Sequence, residues 1–312
     1  MNLDARLKYF ATSDKIKLYY ELCVPDVPKA IIIFVHGLGD HIGRYPEFAK
    51  YLIHNGYGTC FYDQRGHGRS SGRRAHCKSF NDYLRDLSQI ADMAHEHYPN
   101  VPMFLIGHSF GGQVAINFVA RYSKGLRGVI LLSPNIEPMV KISSWKKKAV
   151  ARLSKFLPIV KFHSSIEPTY FSHDEKVIRA AEVDPLMNWH VTARLGAEIL
   201  KNLGQLPKLA FQVKIPCLLL QGGADRICSV EATRKFYHSI LIQNKDFRVF
   251  PELYHELLNE IEKEKVFKTV LEWLEKQLAV FKHLAKAGEG GEYESKKLIN
   301  LWHGSGGYSH VG

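Results

Sequence analysis

Six short apolar runs, most of them separated by stretches of helical periodicity, leave this chain few architectures to choose from. Ala30-Ile31-Ile32-Ile33-Phe34-Val35 contains no polar residue at all. A strand with one wet face alternates, so an unbroken apolar run implies a strand covered on both faces. Similar runs recur at Thr59–Tyr62, Met103–Ile106, Val129–Leu132, Cys217–Leu220 and Phe247–Phe250. Helical patterns fall at 44–55, 80–97, 110–123, 230–241 and 260–282. Strands that alternate with helices pair in parallel through right-handed crossovers. Ahead of them, Leu7, Tyr9 and Ala11 alternate with polar residues, and Ser13-Asp14-Lys15 forms a turn. That start reads as an antiparallel hairpin. The expected fold class is α/β: a central, mostly parallel sheet with helices on both faces.

The alternation breaks between Ser133-Pro134 and Leu206-Pro207, where helical patterns and a basic run replace buried strands. The expected organisation is a core of residues 1–133 and 208–282, a helical cap inserted at 134–207, and a glycine-rich tail at 283–312 that need not be ordered. With 312 residues, 46% of them apolar, the chain can bury a large core without cross-links. No apolar run reaches the length of a membrane span, about 18 residues. The start Met1-Asn2-Leu3-Asp4-Ala5-Arg6 lacks the apolar stretch of a secretory signal. Five cysteines form no C-x-x-C pair, which argues against a disulfide framework or a zinc ribbon and fits a reducing cytoplasm. The formal charge of +11 suits an anionic partner, a lipid surface or nucleic acid. No nucleic-acid motif accompanies it, so no nucleic-acid partner is expected.

The sharpest motif is Gly107-His108-Ser109-Phe110-Gly111, set between a strand and a helix. This is G-x-S-x-G in the strand–turn–helix setting that its chemistry needs. The turn is so tight that only small residues fit two positions before and after the serine. The serine then stands above the carboxyl edge of the sheet, at a helix N-terminus that favours negative charge. Such a nucleophile needs an acid and a histidine, in the order Ser…Asp/Glu…His. Asp225 follows the run Cys217–Leu220, and His255 follows Phe247–Phe250, so both belong to loops on the same edge. Asp246, the rival aspartate, precedes its strand instead of following it. In the triad template Ser109 attacks an ester carbonyl, His255 moves the proton, and Asp225 holds the imidazole. An oxyanion hole needs two N–H donors. Phe110, directly after the serine, supplies one; Leu38, between Gly37 and Gly39 after an early strand, supplies the other.

Several segments together resemble one family. His36-Gly37-Leu38-Gly39-Asp40-His41-Ile42-Gly43-Arg44-Tyr45 is similar to the oxyanion loop of the monoacylglycerol lipase and lysophospholipase group of α/β-hydrolases, among the serine aminopeptidase S33-like enzymes. Asp63-Gln64-Arg65-Gly66-His67-Gly68-Arg69-Ser70-Ser71-Gly72, Gly107–Gly112, Leu218–Cys228, Tyr254–Glu260 and Asp184-Pro185-Leu186 resemble further segments of that group. The likeness covers about residues 6–280. Phe110 stands where methionine is usual. Asp40 is shorter than the glutamate of the animal enzymes, and Leu258 stands where those tend to carry a second histidine. The resemblance implies an α/β-hydrolase fold, a cap over an acyl tunnel, no metal or cofactor, and a substrate-binding role for Asp40 and Arg44 at the alcohol. An ion pair that merely braces the loop is the other reading of those two residues. Cys228, three residues after Asp225, reads first as a small buried apolar residue.

Gly66–Gly72 lacks the spacing of a phosphate loop, and His95-Glu96-His97 cannot place two metal ligands on one helix face. The expected function is a serine hydrolase cleaving the ester of a single-acyl lipid, lysophospholipid or monoacylglycerol, through an acyl-enzyme. A broad short-chain carboxylesterase is the enzymatic alternative. An aminopeptidase would need an acidic cluster in the cap, where a basic one stands. A hydrolase fold reused for binding is disfavoured by the complete triad. Within the cap, Lys141–His163 carries seven lysines and arginines and no acid. At about 100° per residue, Trp145, Ala149, Val150, Leu153, Phe156 and Leu157 share one arc, and Pro158 ends the helix. That pattern predicts transient contact with an anionic membrane surface, and a cytoplasmic enzyme peripheral to the inner membrane face.

Overall fold

The computed structural model describes residues 4–122, 125–140, 143–164 and 166–288. The chain runs through β1 (Asp4–Ala11), β2 (Lys17–Val24), β3 (Ile31–Val35), β4 (Gly58–Tyr62), β5 (Met103–His108) and β6 (Leu126–Leu132). It then crosses a small ribbon, β7 (Lys161–His163) and β8 (His190–Thr192), and returns in β9 (Cys217–Gly222) and β10 (Lys245–Phe250). Eight strands form one sheet in the order β1-β2-β4-β3-β5-β6-β9-β10. From β4 to β10 all neighbours are parallel, and β1 and β2 add an antiparallel edge. This is the α/β-hydrolase arrangement.

The helices are α1 (Pro46–His54), α2 (Asn81–His97), α3 (Phe110–Arg121), α4 (Ser144–Phe156), α5 (Glu175–Val183), α6 (Ala193–Leu203), α7 (Leu206–Leu209), α8 (Val230–Ser239) and α9 (Lys263–Gly288). The apolar runs are continuous because successive side chains of a strand point to opposite faces. In β3, Ile31, Ile33 and Val35 enter a core shared with α2 and α3, while Ile32 and Phe34 enter another shared with α1 and α9. In β5 Leu105 and Ile106 divide the same way, and in β9 Leu219 and Leu220. β10 differs: as the edge strand it is half-buried, not enclosed.

The stretch between β6 and β9 differs in two ways from a purely helical insertion. It contains the ribbon β7–β8, exposed along β7 and buried at Thr192 of β8. Its last helices also belong to the core, since Leu195, Ile199, Leu206 and Leu209 join the cluster on the α2–α3 side. Helix α4 ends at Phe156, two residues before Pro158, and packs on α6. The expected apolar arc divides there. Ala149, Val150 and Leu153 are half-buried, while Trp145, Phe156 and Leu157 stand 68%, 81% and 52% exposed. Helix α9 continues to Gly288, past the expected end of periodicity. The rest of the expected tail, and Lys141, lie outside the described residues. No helix among the described residues is long and apolar enough to cross a membrane.

Gly111 shows how tightly α3 sits on the sheet. A Cβ there would lie 2.0 Å from the Val35 carbonyl oxygen and 2.5 Å from that of His36. Gly111→Ala is expected to cost about 1–3 kcal/mol by overpacking, read as a lowered urea midpoint. Gly204→Ala, in an open helical position at φ −66°, is expected to be neutral or to stabilise by up to about 1 kcal/mol.

Candidate active site

The turn from β5 into α3 holds Ser109 at φ 53° and ψ −116°, a conformation that costs a side-chain-bearing residue about 1–3 kcal/mol. Backbone bonds hold it there. Ser109 N donates to the Leu132 oxygen (3.0 Å), and the Ser109 carbonyl accepts from Gln113 N (3.1 Å) and Asn135 N (2.9 Å). Phe110 sends its ring inward, edge-on to Tyr83 at 5.1 Å. Its amide remains at the first position of α3, where no carbonyl of the helix can accept from it.

Asp225 lies in the loop after β9 and is buried. One carboxylate oxygen accepts from the amides of Ile227 (2.7 Å) and Cys228 (2.9 Å). The other accepts from Gln221 Nε2 (2.7 Å) and from His255 Nδ1 (2.8 Å). Gln221 is in turn oriented by Thr233, whose hydroxyl donates to its amide oxygen (2.9 Å). His255 follows β10 and is fully enclosed. Burial alone would lower its pKa, but the Asp225 charge and hydrogen bond outweigh it, and the net shift is upward from 6.5. With Nδ1 committed to Asp225, Nε2 is the nitrogen available as a base. The neighbouring His108, its ring 5.0 Å away, is pushed down to about 4 by burial and is neutral.

The loop after β3 is held from below by the Asp63–Gly72 segment, whose purpose was not legible in its glycines. Burial pushes His36 down to about 3, so it is neutral. Its Nε2 accepts from Gln64 N (2.9 Å), which leaves Nδ1 to donate to the Gly37 oxygen (2.8 Å). Asp63 accepts from Ile42 N (2.8 Å) with one oxygen and from Arg69 N (2.7 Å) with the other. Above, Gly39 at φ +75° lies against the insertion, and a Cβ there would meet the Asn188 oxygen at 2.3 Å. Asn188 N also donates to the Gly39 oxygen (2.8 Å), and His41 Nε2 pairs with Asp184 (2.9 Å).

Asp40 and Arg44 belong to a wider network than their spacing suggested. Asp40 accepts from His41 N (2.7 Å), Arg44 Nη1 (3.2 Å) and the Tyr45 hydroxyl. Burial opposes its charge, but Arg44 and the surrounding donors hold its carboxyl well below the usual range. Arg44 makes a two-point pair with Glu256, Nη1 to Oε1 and Nη2 to Oε2, both at 2.7 Å. Glu256 was missed in the sequence. Its signal was only its adjacency to His255, and nothing there names a partner 212 positions away.

One cleft brings these groups together. Ser109, His255, Gly37, Leu38, His108, Asp40, Arg44 and Glu256 line it, and Ile166, Phe171, Met187, Trp189 and Val191 of the insertion line it with Ile227. All the expected site residues except Asp225 and Phe110 line it directly, and those two stand behind His255 and Ser109. Asp246 is outside it, near Lys276 on the surface (3.4 Å). Leu258 is buried in the core on the α1–α9 side. Cys228 is buried at the site. Burial pushes its thiol well above its ordinary value, with the Asp225 charge adding to the rise. Asp225, Cys228 and His255 offer three buried donor atoms within 4.8 Å of one another. A protonated thiol and a carboxylate with four hydrogen bonds make a poor ligand set for a metal.

Comparison with known proteins identifies the family and the fold. The family described as "Serine aminopeptidase, S33" matches residues 26–262. An uncharacterized abhydrolase domain-containing protein of Dictyostelium discoideum is 33% identical over 270 residues. That match takes in 86% of this chain but 28% of the longer relative. Phospholipase YtpA of Bacillus subtilis is 32% identical over 246 residues, 78% of this chain and 94% of that protein. The crystal structure of Paleococcus ferrophilus monoacylglycerol lipase superposes with a TM-score of 0.75 at 27% identity, covering 89% of this chain and all of that one.

The raised pKa of His255 can be read directly. By NMR its imidazole is expected to titrate above 6.5, and Asp225→Asn is expected to move that titration down, because the largest upward contribution is lost. A His255 that titrates below 6.5 in the intact protein contradicts the pairing.

Proposed function

The chain belongs to the serine aminopeptidase S33 family, and from that premise we propose that it hydrolyses single-acyl lipid esters with Ser109 as nucleophile. It is a carboxylic ester hydrolase acting on lipid. The observation that carries the finer reading is the His255–Asp225 bond at 2.8 Å in the same cleft as a serine held at positive φ. Ser109 Oγ attacks the ester carbonyl and His255 Nε2 takes its proton. The amides of Leu38 and Phe110 receive the oxyanion. His255 returns the proton to the leaving alcohol, and a water repeats the cycle on the acyl-enzyme. Asp225 stabilises the imidazolium throughout.

The cleft has two kinds of wall. Ile166, Met187, Trp189, Val191 and Ile227 offer an apolar surface for the acyl chain. Asp40 and Arg44 stand on the alcohol side. A B. subtilis relative is a phospholipase and a P. ferrophilus neighbour a monoacylglycerol lipase. Both kinds of ester fit a site with one apolar wall and one polar wall. The described part of the insertion ahead of α6 serves as the lid of this cleft, while α6 and α7 join the core. The exposed Trp145, Phe156, Leu157, Ile159, Val160 and Phe162 stand among Lys146, Lys147, Lys148, Arg152, Lys155 and Lys161. That surface suits reversible docking on anionic lipid, each basic residue adding about 1 kcal/mol at most.

Ser109→Ala is expected to leave the fold intact and lower kcat on the order of 10⁶-fold. A fluorophosphonate probe should label the wild type and not the variant; turnover retained by the variant removes Ser109 from the reaction. Docking is checked by co-sedimentation with anionic and neutral vesicles. Binding is expected only to the anionic ones, weakening with salt and lost in the triple variant Lys146→Glu, Lys147→Glu, Lys148→Glu.

A further inference from the structure

The chain is strongly basic, yet its cleft is not. Among the described residues that line it, Arg44 is the one lysine or arginine, and two carboxylates, Asp40 and Glu256, face it. Both bind it. Glu256 takes Nη1 and Nη2 at 2.7 Å each, and Asp40 takes Nη1 again at 3.2 Å. Two forked bonds to one carboxylate use up the end-on donor edge of the guanidinium, and Asp40 takes the second Nη1 hydrogen; much of the charge that would draw a phosphate is already neutralised. Arg44 is 8% exposed in its side chain and Glu256 4%, so water does little to screen the pair. Glu256 is itself fixed, accepting from Asn259 Nδ2 (2.9 Å) and donating its amide to the Phe171 oxygen (2.8 Å).

No other lysine or arginine among the described residues lines the cleft. His108 is neutral, and His255 must be neutral to act as a base. His190 stands exposed on β8 with its ring against His163 (5.2 Å), on the wall that the insertion supplies. Arg226, beside the triad acid in sequence, stands over the rings of Tyr170 and Tyr254 (5.6 and 5.1 Å) and does not line the cleft. The formal sum on the alcohol side is therefore one negative charge. The basic run Lys146, Lys147, Lys148, Arg152, Lys155 and Lys161 is exposed on the outer face of the insertion instead.

We propose that Glu256 determines specificity: by occupying Arg44 it leaves the alcohol pocket net negative, so the enzyme takes esters of neutral or cationic alcohols and rejects those bearing a free phosphate monoester. The inference rests on the lipid-esterase reading above and narrows its substrate class. A dianionic headgroup would bring its charge against Asp40 and Glu256, with the end-on edge of the one arginine already bound to a carboxylate. A glycerol hydroxyl has donors for those same carboxylates, and a quaternary ammonium is attracted to them. Specificity comes here from a repulsive element as much as from an attractive one.

The test uses three esters of one acyl chain: 1-lauroylglycerol, lauroylcholine and 1-lauroyl-lysophosphatidate. Initial rates at submicellar concentration give kcat/KM for each. The wild type is expected to favour the glycerol and choline esters over the phosphate ester by at least tenfold. Glu256→Gln keeps the shape and one acceptor but removes the charge. It is expected to raise the ratio of phosphate ester to glycerol ester at least tenfold, whatever happens to the absolute rates. Equal use of the phosphate and glycerol esters by the wild type overturns the proposal, as does a ratio that shifts less than twofold in a folded Glu256→Gln. If that variant does not fold, the wild-type order across the three esters decides. Hydrolysis of all three without discrimination sinks the charge inference alone; hydrolysis of none sinks the lipid-esterase reading with it.

Discussion

A serine forced to positive φ between two glycines sets the terms for everything around it. The turn costs about 1–3 kcal/mol, and the surrounding sheet must hold it. It does so through Leu132 at the end of β6, through Asn135 beyond it, and through the first turn of α3. Gly111 then lets α3 lie against the end of β3, at the carbonyls of Val35 and His36. The same packing that strains the serine therefore sets the N-terminus of α3 against the end of β3.

Around that point the protein fixes loops with buried polar pairs. His36 is a neutral strut, accepting from one strand-end loop and donating within its own. Asp63 ties the same loop from below, and Glu256 ties it from the side through Arg44. Removing one partner of such a pair leaves a buried group unsatisfied, which costs more than the pair contributes. The loop is thus held by contacts that are expensive to break singly. The Arg44–Glu256 pair also joins the loop after β3 to the loop that carries His255, so two walls of the cleft share one brace.

The insertion is fastened to this apparatus at several points and open elsewhere. Asn188 and Asp184 hold Gly39 and His41; Phe171 holds Glu256; His173 pairs with Glu260 at 2.9 Å. The inner residues of the insertion build the apolar wall over Ser109. Its outer face, with α4 and β7, carries the lysines and the exposed aromatic and aliphatic side chains. Charge and apolar surface are therefore divided by depth: basic and apolar outside, neutral to acidic at the reacting centre.

Much of this was legible in sequence because it is local. A strand covered on both faces must be apolar at every position, so the runs at Ile31–Val35 and Cys217–Leu220 named the sheet. G-x-S-x-G named the turn, because no other spacing allows it. Chain order placed Asp225 and His255 on one edge, since parallel strands put all their following loops there. What only tertiary structure decided are the pairings between distant segments. Nothing in Asp63-Gln64-Arg65 says that it braces His36, and nothing in Trp145 or Leu153 says which of them faces α6. Glu256 next to His255 is an ordinary acid in sequence and the partner of Arg44 in space. Periodicity reports which face of an element is apolar, while the charge of a pocket depends on which side chains the fold brings within about 3 Å of each other.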